Sequence, residues 1–176
     1  MLRFSALAAA LLLAPPALAQ GPKACTDLHP QLEFCTSGQS WQKDDRTVPE
    51  ALGFFRMEGG GFGKVILEEV PGQAQIDPDL VQETIIAMVS RQIESAGGSV
   101  EVSSKQGGEI GGDLAGTIIY RFTRAGQDVL TMHSYLVSRN LVMQFITSTQ
   151  QENRSAQDMH RSFLVSFKVQ EPEILL

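Results

Sequence analysis

The sequence predicts an α+β protein: an antiparallel sheet with a three-strand meander, packed between two amphipathic helices. Three observations predict it. Val81, Ile85, Met88, Val89 and Ile93 recur at three- and four-residue spacings, which lays one apolar stripe along a helix. The stretch from Leu114 to Thr147 holds three β-rich runs separated only by short turns. Near the end, Met159, Phe163 and Phe167 repeat at spacings of four with Leu164 beside them, the pattern of a second helix. The expected element order is β-β-α-β-β-β-β-α, an arrangement that buries both helical stripes on one twisted sheet.

Taken from the start, residues 1–19 read as a signal peptide. Arg3 supplies the positive region, Phe4 to Ala14 is an apolar run broken by Ser5, and Ala17-Leu18-Ala19 is a small-residue cleavage site before Gln20. The run is well short of the roughly 20 apolar residues that span a bilayer. Gln20, not cysteine, follows the expected cut, so a lipid anchor is not predicted. Residues 20–50 are polar, with Pro22, Pro30 and Pro49, and are expected to form an arm held by a disulfide. A short strand near Ser40 to Gln42 would bring Trp41 to the core.

Residues 51–170 are expected to form one domain, followed by a short tail, 171–176. Leu52, Phe54 and Phe55 on one arm and Val65, Ile66 and Leu67 on the other suggest a hairpin. Gly59-Gly60-Gly61 turns it, because glycine accepts positive φ without steric cost. Asp77 as N-cap and Pro78 at the first helical position start a helix that Gly97-Gly98 stops near Ala96. Val100 and Val102 alternate with polar residues. The glycines at 107, 108, 111 and 112 read as a loop, Ala125-Gly126 and Arg139-Asn140 as turns. Within the meander, Ile118, Tyr120 and Phe122 share one face, as do Leu141, Met143 and Phe145. Ser155 and Asp158 approximate a capping box for the last helix.

Composition narrows the environment. The formal charge of −6 becomes −7 once residues 1–19, with Arg3 and no acid, are removed. An acidic domain with no basic cluster repels nucleic acid and anionic headgroups, so nucleic acid is not an expected partner. No later stretch is long and apolar enough for a membrane helix. A short signal with a single arginine suggests Sec export into a bacterial periplasm. Cys25 and Cys35 are the two cysteines, and in an oxidising compartment they are expected to pair. Nine intervening residues do not make a redox motif, and His29 with the two cysteines lacks a fourth ligand at a zinc spacing. Neither a metal nor a cofactor is expected.

Common catalytic motifs fail on detail. Gly59 to Lys64 lacks the first glycine of a phosphate loop (Glu58 stands there), has Val65 after the lysine, and precedes no helix. The 107–112 loop departs from G-x-G-x-x-G at Glu109. No serine stands in G-x-S-x-G. Glu68 and Glu69 are strand neighbours pointing to opposite faces, so they read as a solvated edge and not as an acid/base pair. The histidines are His29, His133 and His160, with no metal spacing among them. His133 lies mid-strand on the face of Thr131 and Tyr135, where it is either a base or ligand or a half-buried residue with a satisfied hydrogen bond. Tyr120, Arg121, Arg124, His133, Tyr135 and Arg139 are the polar and aromatic members of the meander and the candidate recognition surface; Tyr120, Arg121, His133, Tyr135 and Arg139 are carried forward as binding candidates. Ile174-Leu175-Leu176 would suit a groove or a sheet edge.

The strand GKVILEEV, the helix DPDLVQETIIAMVSRQIESAGG, the meander AGTIIYRFTRAGQDVLTMHSYLVSRNLVMQFITST and the ending HRSFLVSFKV together resemble the PsbP-like fold group, which includes the DcrB-like periplasmic proteins. The resemblance runs from Phe54 to Lys168, about two-thirds of the chain, and leaves the cysteine-bearing arm outside. It implies an antiparallel sheet sandwiched between helices, and a non-catalytic protein that docks onto a larger assembly or assists in the cell envelope. The group shares no catalytic residues, so it assigns none here.

The leading expectation is therefore a non-enzymatic periplasmic binding or accessory protein with a protein partner in the cell envelope. The alternative is a small-molecule or lipid carrier with a pocket between sheet and helix, lined by Met88, Met132, Met143 and Phe145. A third is a hydrolase using His133 with a nearby carboxylate.

Overall fold

In a computed structural model, residues 24–36, 41–47, 50–70, 77–110, 113–124, 126–138, 141–150 and 153–170 are described. Their elements in chain order are β1 (Ala24–His29), β2 (Leu32–Thr36), β3 (Trp41–Asp44), β4 (Gly53–Met57), β5 (Phe62–Glu69), α1 (Pro78–Ser95), β6 (Ser99–Ile110), β7 (Asp113–Arg124), β8 (Gln127–Ser138), β9 (Leu141–Thr149), α2 (Asn153–Leu164) and β10 (Phe167–Val169). Seven strands form one antiparallel sheet in the order β3-β4-β5-β9-β8-β7-β6, and β1-β2-β10 form a smaller one. The expected signal peptide, Arg139 and the tail lie outside the described residues.

Local chemistry accounts for the boundaries. The Asp77 carboxylate accepts the Asp79 N–H at 2.9 Å, Pro78 occupies the first turn, and Gly97 at φ 77° lets the Gly98 N–H return to the Ile93 carbonyl at 3.0 Å. Gly59, Gly60 and Gly61 turn the β4–β5 hairpin at φ 92°, 101° and 122°, a region side-chain-bearing residues avoid. β7, β8 and β9 are the expected meander, extended by β6 at the sheet's edge.

Strand alternation splits the sheet into two cores. On one face, Phe55, Val65, Met143 and Phe145 meet Met159 and Phe163 of α2 together with Leu32 and Phe34 of the smaller sheet. Trp41 belongs to this core at 1 % exposure, and its indole N–H donates to Ser162 Oγ at 2.9 Å. On the other face, Ile118, Tyr120, Tyr135, Val137 and Val142 meet Ile85 of α1, with Val81, Val89 and Ile93 packed around it. The two helices thus hold the large sheet between them.

Three local readings change. Gly107 and Gly108 are not in a loop; they belong to β6 and pair with Gly116 and Ala115 of β7. Glycine is needed there for space, because a Cβ on Gly107 would stand 2.4 Å from Gln82 Nε2 and one on Gly116 2.5 Å from the Tyr135 hydroxyl. Phe167 is not helical: α2 stops at Leu164, and Phe167 opens β10 opposite Phe34. Its ring still packs 4.9 Å from that of Phe163, which is why the spacing of four imitated a longer helix. Residues 24–36, with little periodicity, form a hairpin in which Cys25 lies directly opposite Cys35, joined by a disulfide. Glu68 and Glu69 are exposed at the end of β5, beyond the Gly53–Val65 pair where β4 stops, and pair only with β9.

Candidate functional site

α1 lies chiefly over β6 and β7. Beside it the face of β5 and β9 stays open, and a cleft of about 780 Å³ runs between helix and sheet. Its size falls in the range of small-molecule sites. Cross-strand register orders the floor. Phe62, Ser148, Thr131 and Tyr120 form one row; Phe54, Lys64, Ile146 and His133 the next; Ile66 and Gln144 the third. Met88, Val89 and Ile93 of α1 form the wall, and Phe122 closes the end. Met88 is the one member of the predicted apolar stripe left substantially exposed, because it faces this opening.

The polar groups on the floor are linked. The Gln144 amide N–H donates to Glu68 Oε2 at 3.0 Å, which directs its oxygen to His133 Nε2 at 2.8 Å. That oxygen can only accept, so His133 carries its proton on Nε2 and its Nδ1 is a bare acceptor. Among the described residues Nδ1 has no partner, although the residue is fully buried. Burial holds the imidazole pKa down at about 4, the hydrogen bond to the Gln144 oxygen opposing it and nearby Lys64 and His160 adding to it. Lys64 is half-buried, and among the described residues no hydrogen bond or ion pair engages its ammonium. Burial lowers its pKa, with Glu50 acting the other way at a distance. Glu50 itself sits at the rim with φ 70°, an unusual conformation for a residue other than glycine. Burial raises the Tyr120 hydroxyl pKa, against a hydrogen bond with Thr131.

The sheet brings some candidate residues together and separates others. Tyr120 and His133 both line the cleft, ring centroids 6.5 Å apart. Tyr135 shares their face but is covered by α1, where its hydroxyl accepts from Gln82 Nε2 at 2.9 Å. Arg121 follows Tyr120 in β7 and therefore points to the opposite face. Arg139 lies outside the described residues. Of the four residues expected to line one pocket, Met88 does so. Met132, Met143 and Phe145 belong to the α2 face, because strand alternation puts them opposite His133 and Gln144.

A second buried polar group lies on that α2 face. His160 of α2 contacts Ser134 Oγ through Nε2 and Thr147 Oγ1 through Nδ1, both at 2.8 Å, and Ser134 also contacts Thr117 Oγ1 at 2.7 Å. Burial lowers the His160 pKa to about 4. The pairing resembles a nucleophile and base, but a threonine hydroxyl stands where a carboxylate would stabilise an imidazolium. Cys25, Glu33 and Cys35 lie close enough to suggest metal ligands, yet the two sulfurs are joined to each other.

Lys64, Glu68, Gln144 and the His160 cluster were not legible as site residues. The available signal was Gln144 between Met143 and Phe145, and Lys64 between Gly63 and Val65: long polar side chains inside strands otherwise built for burial.

No protein-family model and no curated protein matches the chain. Among solved structures, cyanobacterial PsbP (CyanoP) from Synechocystis sp. PCC 6803 superposes with a TM-score of 0.66 at 18 % identity, covering 90 % of this chain and 99 % of that one. The fold is PsbP-like. At 90 % coverage the likeness reaches beyond Phe54–Lys168 into the N-terminal region. A protein from Bacteroides thetaiotaomicron also matches, with a TM-score of 0.53 at 10 % identity; 87 % of this chain aligns with 50 % of that one. Among the described residues, no helix of this PsbP-like chain is long and apolar enough to cross a membrane.

Proposed function

We propose that the protein is a non-catalytic accessory protein of the bacterial cell envelope, exported by cleavage near Ala19–Gln20, that acts by binding. The observation that carries this reading is the state of His133. It is the buried imidazole of the cleft, fixed by an amide and not a carboxylate, with a pKa of about 4. Such an imidazole is neutral at pH 7 and a poor general base, but a good hydrogen-bond acceptor. The Cys25–Cys35 disulfide suits an oxidising compartment. The PsbP-like fold suits a protein that docks onto a partner in the envelope. Cross-linking in intact cells, followed by purification of the tagged protein, tests this: one reproducible envelope partner is expected, and repeated recovery of the protein alone would count against docking.

A second reading is favoured by the cleft itself: a small-molecule carrier, loaded between α1 and the sheet. Native mass spectrometry of protein from periplasmic extract tests export and cargo together. The expected mass is that of residues 20–176 less two hydrogens, plus a reproducible adduct. An uncleaved mass would contradict export, and an adduct-free spectrum would contradict the carrier reading.

A further inference from the structure

The polar groups of the cleft specify what would fill it. Two of them lack a complement. Nδ1 of His133 is a buried acceptor without a donor among the described residues, its tautomer set by the Glu68–Gln144 chain. An acceptor left this way in a native interior calls for a partner. Lys64 is a half-buried donor and cation, and among the described residues its ammonium is unengaged. Both residues flank Ile146 in one cross-strand row, His133 on one side and Lys64 on the other. Strands lie about 4.8 Å apart, so their backbones are about 10 Å apart, and one polar head group can meet both side chains. Met88, Ile93 and Phe122 supply an apolar strip beside that row, while Gln92, Thr131 and Ser148 add polar groups to the lining.

Charge decides the sign of the head group. Glu50 and Glu68 also line the cleft, but both are exposed, and Glu68 already accepts from Gln144. The group a ligand meets inside is the half-buried ammonium. A cationic head would stand against it, whereas an anionic oxygen would give Lys64 the direct ion pair that Glu50, acting only at a distance, does not.

We propose that the cleft binds an amphipathic acid: its anionic oxygen on Lys64, an N–H or O–H of the same head group donated to His133 Nδ1, and its chain along Met88 and Ile93. The inference deepens the carrier reading and rests on it.

N-dodecanoylglycine is the probe, because it has a carboxylate, one amide N–H and an apolar chain. N-dodecanoylsarcosine replaces that N–H with N-methyl, and dodecyltrimethylammonium reverses the charge. Titration calorimetry is run with the purified protein below the micelle concentration of each compound. The glycine conjugate is expected to bind. The sarcosine conjugate should bind about tenfold more weakly for the lost hydrogen bond, and Lys64→Gln should weaken the glycine conjugate by at least about tenfold. Met88→Trp, which fills the mouth while leaving the polar pair in place, should also weaken it; circular dichroism verifies that both variants are folded. Tighter binding of the ammonium compound would overturn the acid class while leaving a carrier standing. Equal binding of the two conjugates would overturn the role of His133, and unchanged binding to Lys64→Gln would overturn that of Lys64. If no compound binds, both this inference and the carrier reading fail.

Discussion

His133 and His160 occupy opposite faces of the same sheet and differ less in burial than in company. Both are almost wholly buried, and both have a pKa lowered to about 4 by burial. His160 lies under α2 with a hydroxyl on each nitrogen. His133 lies beside α1 with an amide on one nitrogen and, among the described residues, nothing on the other. α2 and the smaller sheet pack over the core around His160, while α1 leaves β5 and β9 uncovered beside His133 on the other face. The difference teaches how to read a buried histidine. A satisfied one ties elements together, and one short of a partner beside an opening is available to a ligand.

The largest expected effect is shared by both histidines. Each has a folded pKa near 4 against about 6.5 unfolded. Below pH 6.5 the unfolded chain takes up protons that the folded chain refuses until about pH 4, so stability falls as pH falls through that window and is unaffected by these groups above it. The loss is on the order of 3 kcal/mol per histidine by pH 4. Urea denaturation at pH 7 and pH 4 checks it, and an unchanged midpoint would mean that both imidazoles are open to solvent.

Matched substitutions then separate the two. His160→Leu keeps most of the volume but strips a partner from Ser134 and Thr147, and should cost about 3 kcal/mol. Gly116→Ala drives a methyl group toward the Tyr135 hydroxyl and the Gln106 carbonyl, and should cost about 2 kcal/mol by displacing α1's hydrogen bond to the sheet. His133→Leu removes an unsatisfied nitrogen while leaving Gln144 Oε1 bare, and should cost only about 1 kcal/mol. Chemical denaturation at pH 7 ranks the three. A His133→Leu cost equal to that of His160→Leu would erase the distinction between the faces.

Much of the fold was legible because its determinants are local. Asp77-Pro78 and Gly97-Gly98 bracket α1, Gly59–Gly61 turn a hairpin, and the alternation of Ile118, Tyr120 and Phe122 marks a strand. β1, β2 and β10 were not legible, because the smaller sheet joins strands from the two ends of the chain and contains polar, proline-interrupted sequence. Gly107 and Gly108 misled for a related reason: composition suggests a loop, whereas both lie in a strand, where Gln82 crowds the space a side chain would take at Gly107. His133 and Tyr120 could be placed on a common face from alternation alone. Lys64, Glu68 and Gln144 could not be joined to them, since the β5–β9–β8 register that unites them links residues some 70 positions apart. Nor does any local signal predict that α1 covers only part of its face.

The most direct measurement is nitrogen-15 NMR of the histidine side chains, with and without N-dodecanoylglycine. Free protein should show His133 protonated on Nε2 and bare on Nδ1. Ligand should move the Nδ1 resonance of His133 in the direction of an accepted hydrogen bond and leave His160 unmoved. A His133 protonated on Nδ1, or one that ignores the ligand while His160 responds, would contradict the account.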